Sequence, residues 1–397
     1  MQSQPQEEYV LKPKKVKLSG KIKKRIGNIA EKSVISKISL KLMNNTQYKN
    51  KEFLKTLIAC SAEQDSLDNF TDDAKGPNAD TIFHQLGKLE IKNIEEMFAG
   101  CFASVFELAK NRMIFRDVYV AIDTNKIPYY GDPNGLPEEF RKYIRGETGL
   151  PGTIWAFVYA TMSIVENGKR FVIAVLPMTM HLTKEEVVRK VMEKVPKFVK
   201  IKLTLMDRWF FADNVFSYLE SIGINFLTPA TEYPSIKKLI KDNPKRPCVI
   251  EEHSMGECNA RFKVILIEEF NEKEKKWEVQ GFATNLELSD EKDYFELPKI
   301  YSKRWGIETS YRVVKNFRIE TCTKKYPARL FFVLLSYCLY NLWVILNLMI
   351  EIEYFGAFTK KPAITTKKFC KALKREFLSE ISETAEHENI QSIKYAI

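Results

Sequence analysis

Three acidic residues, far apart in the chain, have the settings that phosphoryl transfer needs. Asp123 closes the apolar run DVYVAI, and Asp207 closes a second, IKLTLM. Short apolar runs of this kind read as strands covered on both faces, and if the two strands are neighbours their carboxylates converge at one sheet edge. Glu308 lies within YSKRWGIETSYRVVK, residues 301–315. Read as one helix turning about 100° per residue, this stretch puts Tyr301, Arg304, Glu308, Arg312 and Lys315 within a fan of roughly 80°. Three hard oxygen ligands suit Mg²⁺ or Mn²⁺. Two such ions, about 3.5–4 Å apart, activate a nucleophilic oxygen and stabilise the leaving oxygen of an in-line displacement. Arg304 and Lys315 on the same face would then hold phosphates. The plainer reading of the helix is a solvated ladder of charges at i,i+4, and the two aspartates are what argue against it.

The composition fits such chemistry. With 62 Lys and Arg against 51 Asp and Glu, the 397-residue chain carries a net charge of +11, which favours a polyanionic partner. A 45% apolar content is enough for a real core in two or three domains. The seven cysteines are scattered and odd in number, as in a protein with reduced thiols, and the first residues lack the apolar stretch of a secretory signal. Both point to the cytoplasm. Residues 330–350 form 21 uncharged positions, long enough to cross a bilayer, but Ser336, Asn341 and Asn347 within them suit a helix packed on all sides in a globular core. No membrane is expected.

The elements that must position the acids follow from periodicity. Residues 12–25 carry eight cations and no acid, either a disordered tail or an arm on DNA. Helices are predicted at 51–63 and 79–89, separated by a polar loop; the pair resembles a helix-turn-helix and equally a plain hairpin. Another helix is predicted at 91–112. A strand then leads to Asp123, and two more, 152–165 and 170–178, flank the turn Glu166-Asn167-Gly168-Lys169. Thr183 with Glu186 forms a capping-box pattern before a helix. The strand 201–206, a helix at 209–222 and the strand 224–230 complete a mixed sheet. Residues 231–295 hold β-like runs and read as an inserted β-rich subdomain. Helical patterning returns at about Pro298, and the tail from 351 is basic and then acidic.

Other groups carry less. Asp117 starts its strand, Asp213 falls inside a helix, and Asp132 lies in a loop from which it could approach the metals. Cys248, His253 and Cys258 are too widely spaced for a structural zinc site and lack a fourth ligand. No nucleophile elbow and no Walker-type lysine occurs, so acyl transfer and nucleotide use are not expected.

The spacing Tyr301, Arg304, Glu308, Lys315 resembles the Tyr-Arg-Glu-Lys signature of a large group of DDE transposases encoded by bacterial and archaeal insertion sequences. Asp123 and Asp207 match the aspartates after that group's first and fourth strands. The resemblance covers roughly residues 110–350. It implies a ribonuclease-H-like α/β domain with flanking helices (111–230 and 296–350) and a β-rich insertion at 231–295; outside it, composition and periodicity give an α-helical, basic region at 1–110, read as DNA-binding, and a tail at 351–397. It also implies Mg²⁺ or Mn²⁺ held by Asp123, Asp207 and Glu308, and cut-and-paste transposition at paired element ends by a DNA-bound homodimer. Tyr301, Arg304 and Lys315 would contact the phosphates of double-stranded DNA, with Arg312 on the same face. Trp277, in the insertion, is the candidate to stack a flipped base. Two other readings share parts of this pattern: a ribonuclease-H-like nuclease or resolvase without strand transfer, and a helix-turn-helix regulator without catalysis.

Overall fold

Helical periodicity at both ends and strand-length apolar runs between them sort the chain into two compact units. One joins the residues up to Met113 to those from Tyr311, and the other is Ile114–Ser310. The computed structural model describes residues 16–378, except 43–45, 74–75, 111–115 and the single positions 167, 232, 259, 273 and 360. The start of the predicted basic arm and the acidic end of the tail lie outside the described residues.

The first unit is helical. The predicted basic arm is already helix at its end. In α1 (Gly20–Ser33) the Ser19 hydroxyl accepts from Ile22 N at 3.3 Å, Ile22, Ile26 and Ala30 turn inward, and Lys21, Lys24 and Lys32 stay in solvent. Next come α2 (Asn50–Glu63), α3 (Leu67–Asp73), α4 (Ala79–Gly87) and α5 (Ile91–Lys110). The loop expected between α2 and α4 contains α3, so no tight turn joins this pair as a helix-turn-helix requires. Moreover, α2 is buried from Phe53 through Ala62.

Among the described residues, nine strands organise the second unit. They are β1 (Val118–Pro128), β2 (Ile144–Gly146) after the short α6 (Glu138–Arg141), β3 (Trp155–Glu166) and β4 (Lys169–Pro177). After α7 (Lys184–Glu193) follow β5 (Ile201–Met206), α8 (Asp213–Ser221), β6 (Phe226–Pro229) and α9 (Pro234–Asp242). The last strands are β7 (Cys248–Met255), β8 (Ala260–Asn271) and β9 (Lys276–Thr284). The sheet order is β2-β3-β1-β5-β6-β9-β8-β7, with β4 also paired to β3. β1, β3 and β4 form an antiparallel meander, and β5 and β6 run parallel to β1. This is the mixed α/β arrangement expected of a ribonuclease-H-like domain. The β-like runs of the insertion do not make a sheet of their own, because β9 pairs antiparallel with β6 and carries β8 and β7 onto the same sheet. α9 interrupts the insertion and is an element that the residue pattern does not announce.

Burial explains the local choices. β3 is buried from Ala156 to Val165 and β4 from Phe171 to Pro177, as strands covered on both faces must be. α8 lays Phe216 flat against Phe226, ring centres 4.4 Å apart, and edge-on to Phe262 at 4.9 Å. At α7 the predicted box is present: Glu186 N donates to the Thr183 hydroxyl at 3.2 Å, and Thr183 N to Glu186 Oε2 at 2.8 Å. Thr183→Ala is therefore expected to lower unfolding free energy by about 1 kcal/mol, read as a shift in the urea midpoint at unchanged slope.

The predicted continuous helix over 301–315 is not continuous. α10 (Glu291–Ser302) begins earlier than Pro298, ends before Arg304, and is followed by α11 (Trp305–Val314) and a 3₁₀ turn, Lys315–Phe317. Between α10 and α11 the backbone tightens into i→i−3 bonds, Arg304 N to Tyr301 O at 2.9 Å, Gly306 N to Lys303 O at 3.1 Å and Ile307 N to Arg304 O at 2.8 Å. The shared 80° face is lost. Arg304 turns inward to 8% exposure while Trp305 is 62% exposed. At Gly306 a Cβ would run into the Arg170 guanidinium, so the absent side chain leaves room for that group against α11.

α12 (Tyr326–Phe355) lies within the first unit. Among the described residues it is the one helix long and apolar enough to cross a membrane, and it is packed inside the protein instead. Its polar residues fasten the chain that follows. Asn347 accepts from Ile364 N at 2.7 Å and donates to Trp343 O at 2.8 Å, and Trp343 Nε1 donates to Ile364 O at 2.8 Å. Gly356, at φ +68°, closes the helix with its N–H on Ile352 O.

Candidate active site

Strand register brings two of the acids together. β1 and β5 are parallel with Ile122 beside Met206, so Asp123 and Asp207, each one residue further on, emerge side by side from strands about 4.8 Å apart. Asp123 does not sit past the end of its strand, as the sequence suggests. β1 runs on to Pro128, paired to β3, and Asp123 is opposite Thr161. β5 does stop at Met206. Asp207 then caps the 3₁₀ turn Arg208–Phe210, accepting from Trp209 N at 2.9 Å.

Arg304 ties the remaining groups to this pair. Its Nη1 donates to Asp123 Oδ2 at 3.1 Å, its Nη2 to Glu308 Oε1 at 3.4 Å and its Nε to the Tyr301 hydroxyl at 2.9 Å. Tyr301 is itself held against Phe282 of β9, ring centres 5.6 Å apart. The sequence pattern turns Arg304 toward DNA phosphates; the fold buries it against carboxylates.

The electrostatics show how costly the cluster is. Burial, and then the neighbouring Asp207, push the Asp123 carboxyl up to about 6, against the opposing pull of Arg304 and the Thr124 N–H. Burial also raises Asp207, although the N–H groups of Trp209 and Phe210 and the charges of Arg304 and Lys126 hold it back. The Tyr301 phenol is pushed up to about 12, chiefly by burial, so it stays a neutral hydroxyl. Burial lowers Lys184, at the start of α7, while the field of Asp207 opposes the shift. Neither Lys126 nor Lys184 stands out in the sequence, since no spacing links them to Asp207; only the fold does.

Arg312 and Lys315 belong to the first unit, and both are exposed. Trp277 is 67% exposed on β9. It lines a groove of about 1150 Å³ with Phe295, Tyr301 and Trp305. Phe295 and Trp305 escape the sequence reading; a large aromatic directly beside Arg304 is the available signal. Asp132 caps the turn Pro133–Gly135, accepting from Asn134 N at 2.9 Å, and Asp117 is exposed at the start of β1. Asp213 is the first residue of α8 and accepts from Cys258 N at 3.1 Å. His253 packs edge-on against Phe262, and among the described residues no zinc-like cluster joins it to Cys248 and Cys258.

Residues 119–342 match the family described as the transposase DDE domain, a span that holds Asp123, Asp207 and Glu308. The chain belongs to the DDE transposases. No curated protein matches the sequence. Among solved structures, the cryo-EM structure of a piggyBac transposase synaptic complex with hairpin DNA is similar at a TM-score of 0.53 and 13% identity, covering 91% of this chain and 79% of that one. That likeness is one of fold.

As a DDE transposase the enzyme works with divalent metal ions. The donor set fits such an ion: three carboxylates, two of them raised by burial, gain from a compact double charge that oxygen ligands prefer. The three carboxylates do not surround a common point. Among the described residues no three acids stand close enough to hold an ion, and Arg304 bridges Asp123 and Glu308.

Proposed function

We propose that this transposase cuts DNA at the two ends of its own element and joins the freed 3′ ends to target DNA, with Asp123, Asp207 and Glu308 as the catalytic acids and Mg²⁺ or Mn²⁺ as the ion they hold. The observation that carries this reading is the parallel register that sets Asp123 beside Asp207, with Glu308 linked to Asp123 through Arg304. When bound, the ions would supply Lewis acidity to the attacking and leaving oxygens of the displacement. The chain supplies the rest. The sheet fixes two carboxylates, the Tyr301 hydroxyl stays neutral beside them, and Arg304, Arg312 and Lys315 are assigned to DNA phosphates. We assign residues 111–230 and 296–350 to catalysis, 231–295 to the insertion, 1–110 to end recognition, and leave 351–397 as a tail.

Trp277 is assigned to stack an unpaired base next to the cut. Its exposure in a groove shared with Tyr301 supports that role, and the hairpin DNA in the piggyBac complex makes a hairpin intermediate the natural setting. Trp277→Ala is expected to weaken binding of hairpin-ended DNA by about 1–3 kcal/mol in a fluorescence titration, with no change in melting temperature because the ring is already in solvent. The working form is a homodimer on paired ends, cytoplasmic and associated with the nucleoid.

The decisive experiment incubates the protein with Mg²⁺, DNA carrying the element's ends and a target plasmid. Joined products are expected. Nicks without joining would instead identify a nuclease or resolvase on the same three acids.

A further inference from the structure

We propose that Arg304 stands in for the divalent ion in the DNA-free enzyme: its guanidinium bridges Asp123 and Glu308 and offsets part of their negative charge, and it gives them up when a DNA phosphate becomes its partner instead. This rests on the reading of Asp123, Asp207 and Glu308 as the metal ligands.

All three nitrogens of Arg304 are engaged, Nε by Tyr301, Nη1 by Asp123 and Nη2 by Glu308, at 2.9, 3.1 and 3.4 Å. Three of its five N–H donors are thus committed within the protein, and the Nε edge that arginine commonly offers a phosphate is already taken up by Tyr301. Charge points the same way. Asp123 is 7% exposed and Arg304 8%, and neither charge is tolerable at that depth without the other. A divalent cation arriving at Asp123 and Glu308 meets a permanent positive charge on the very oxygens it would bind, so cation and guanidinium compete. Direction supplies the route. Arg304 has its guanidinium carbon 5.4 Å from the centre of the Tyr301 ring, and Tyr301 lines the groove with Trp277 and Trp305. Rotation about the side chain toward that groove carries the charge from the acids to the surface assigned to DNA.

Linkage gives the functional consequence. If phosphate draws Arg304 away and so frees the carboxylates, DNA tightens metal binding and the metal tightens DNA binding by the same factor. The enzyme off DNA then holds its ions weakly, which protects other strands from cleavage during search.

The test is Mn²⁺ binding followed by electron paramagnetic resonance, with and without a DNA duplex of arbitrary sequence, in the wild type and in Arg304→Gln, Arg304→Lys and Asp123→Asn. Without DNA, Arg304→Gln is expected to bind Mn²⁺ roughly tenfold more tightly than the wild type, about 1.4 kcal/mol, and to gain nothing further from the duplex, whereas the wild type gains. Arg304→Lys, which keeps the charge but lacks the planar fork that reaches Tyr301, Asp123 and Glu308 together, is expected to fall between them; it carries the comparison if the glutamine variant does not fold. Equal or weaker Mn²⁺ binding in the Arg304 variants, with Asp123→Asn binding more weakly than the wild type, would overturn the inference and leave the metal ligands standing. Unchanged binding in Asp123→Asn would overturn both.

Discussion

Glu308→Gln is expected to reduce Mg²⁺-dependent cleavage of end DNA by roughly a thousandfold or more while leaving the protein as stable as the wild type. The two halves of the expectation have separate origins. The amide keeps the shape of the side chain but removes the negative charge with which it would bind a divalent ion, and losing one such group at a displacement centre typically costs several kcal/mol of transition-state stabilisation. Stability is spared because the Glu308 side chain is 58% exposed and its bond to Arg304 is long, at 3.4 Å. Asp123→Asn and Asp207→Asn should abolish cleavage equally, but Asp123→Asn also strips Arg304 of its buried partner and is expected to lower the melting temperature. Gel analysis of end cleavage, with circular dichroism melting on the same samples, separates the two effects. Cleavage within about tenfold of the wild type in a folded Glu308→Gln protein would sink the assignment.

Phe331→Ala is expected to destabilise the first unit by about 4 kcal/mol, enough to leave much of the protein unfolded at physiological temperature. Phe331 is fully buried on α12 and meets Phe98 of α5 edge to face, ring centres 5.0 Å apart. Truncating it removes the transfer free energy of the ring and leaves a cavity in a region where neighbouring helices cannot collapse inward without displacing their own side chains. A urea midpoint that falls at unchanged slope is the expected readout. A variant as stable as the wild type would mean that α12 does not organise the core around it.

Much of this architecture is legible in residue order because burial on both faces leaves a plain trace. The runs ending at Asp123 and Asp207 are dominated by apolar residues, and the strands they predict are neighbours in the sheet. The Glu166–Lys169 hairpin and the Thr183 cap are legible for a related reason: turn and cap chemistry is local, set by side chains within a few positions of the backbone they satisfy. What escapes is not local. Periodicity at 301–315 shows which residues would share a face if the backbone stayed helical, but it does not show whether each N–H finds the carbonyl four residues back. The i→i−3 bonds at Arg304–Ile307 break that assumption. Periodicity therefore turns Arg304 outward, whereas the fold makes it a deeply placed cation of the site. The union of β9 with β6 is equally hidden, since nothing in either run names its partner across so long an interval. α3 lacks the length to show a clear period within its polar segment.

The continuation of β1 past Asp123 gives the site a mechanical asymmetry. Asp123 is mid-strand, with backbone pairing to β3 on both sides of it, so it cannot shift without tearing ladder bonds, and Asp207, just past the end of β5, is pinned by Trp209 N on its carboxylate and the Thr228 hydroxyl on its carbonyl. Glu308 instead hangs from a short helix entered through a tight turn, with its side chain largely in water. On the reading that these three acids act together, the sheet holds two of them as fixed points, and Glu308 is the one whose position is least constrained by its surroundings.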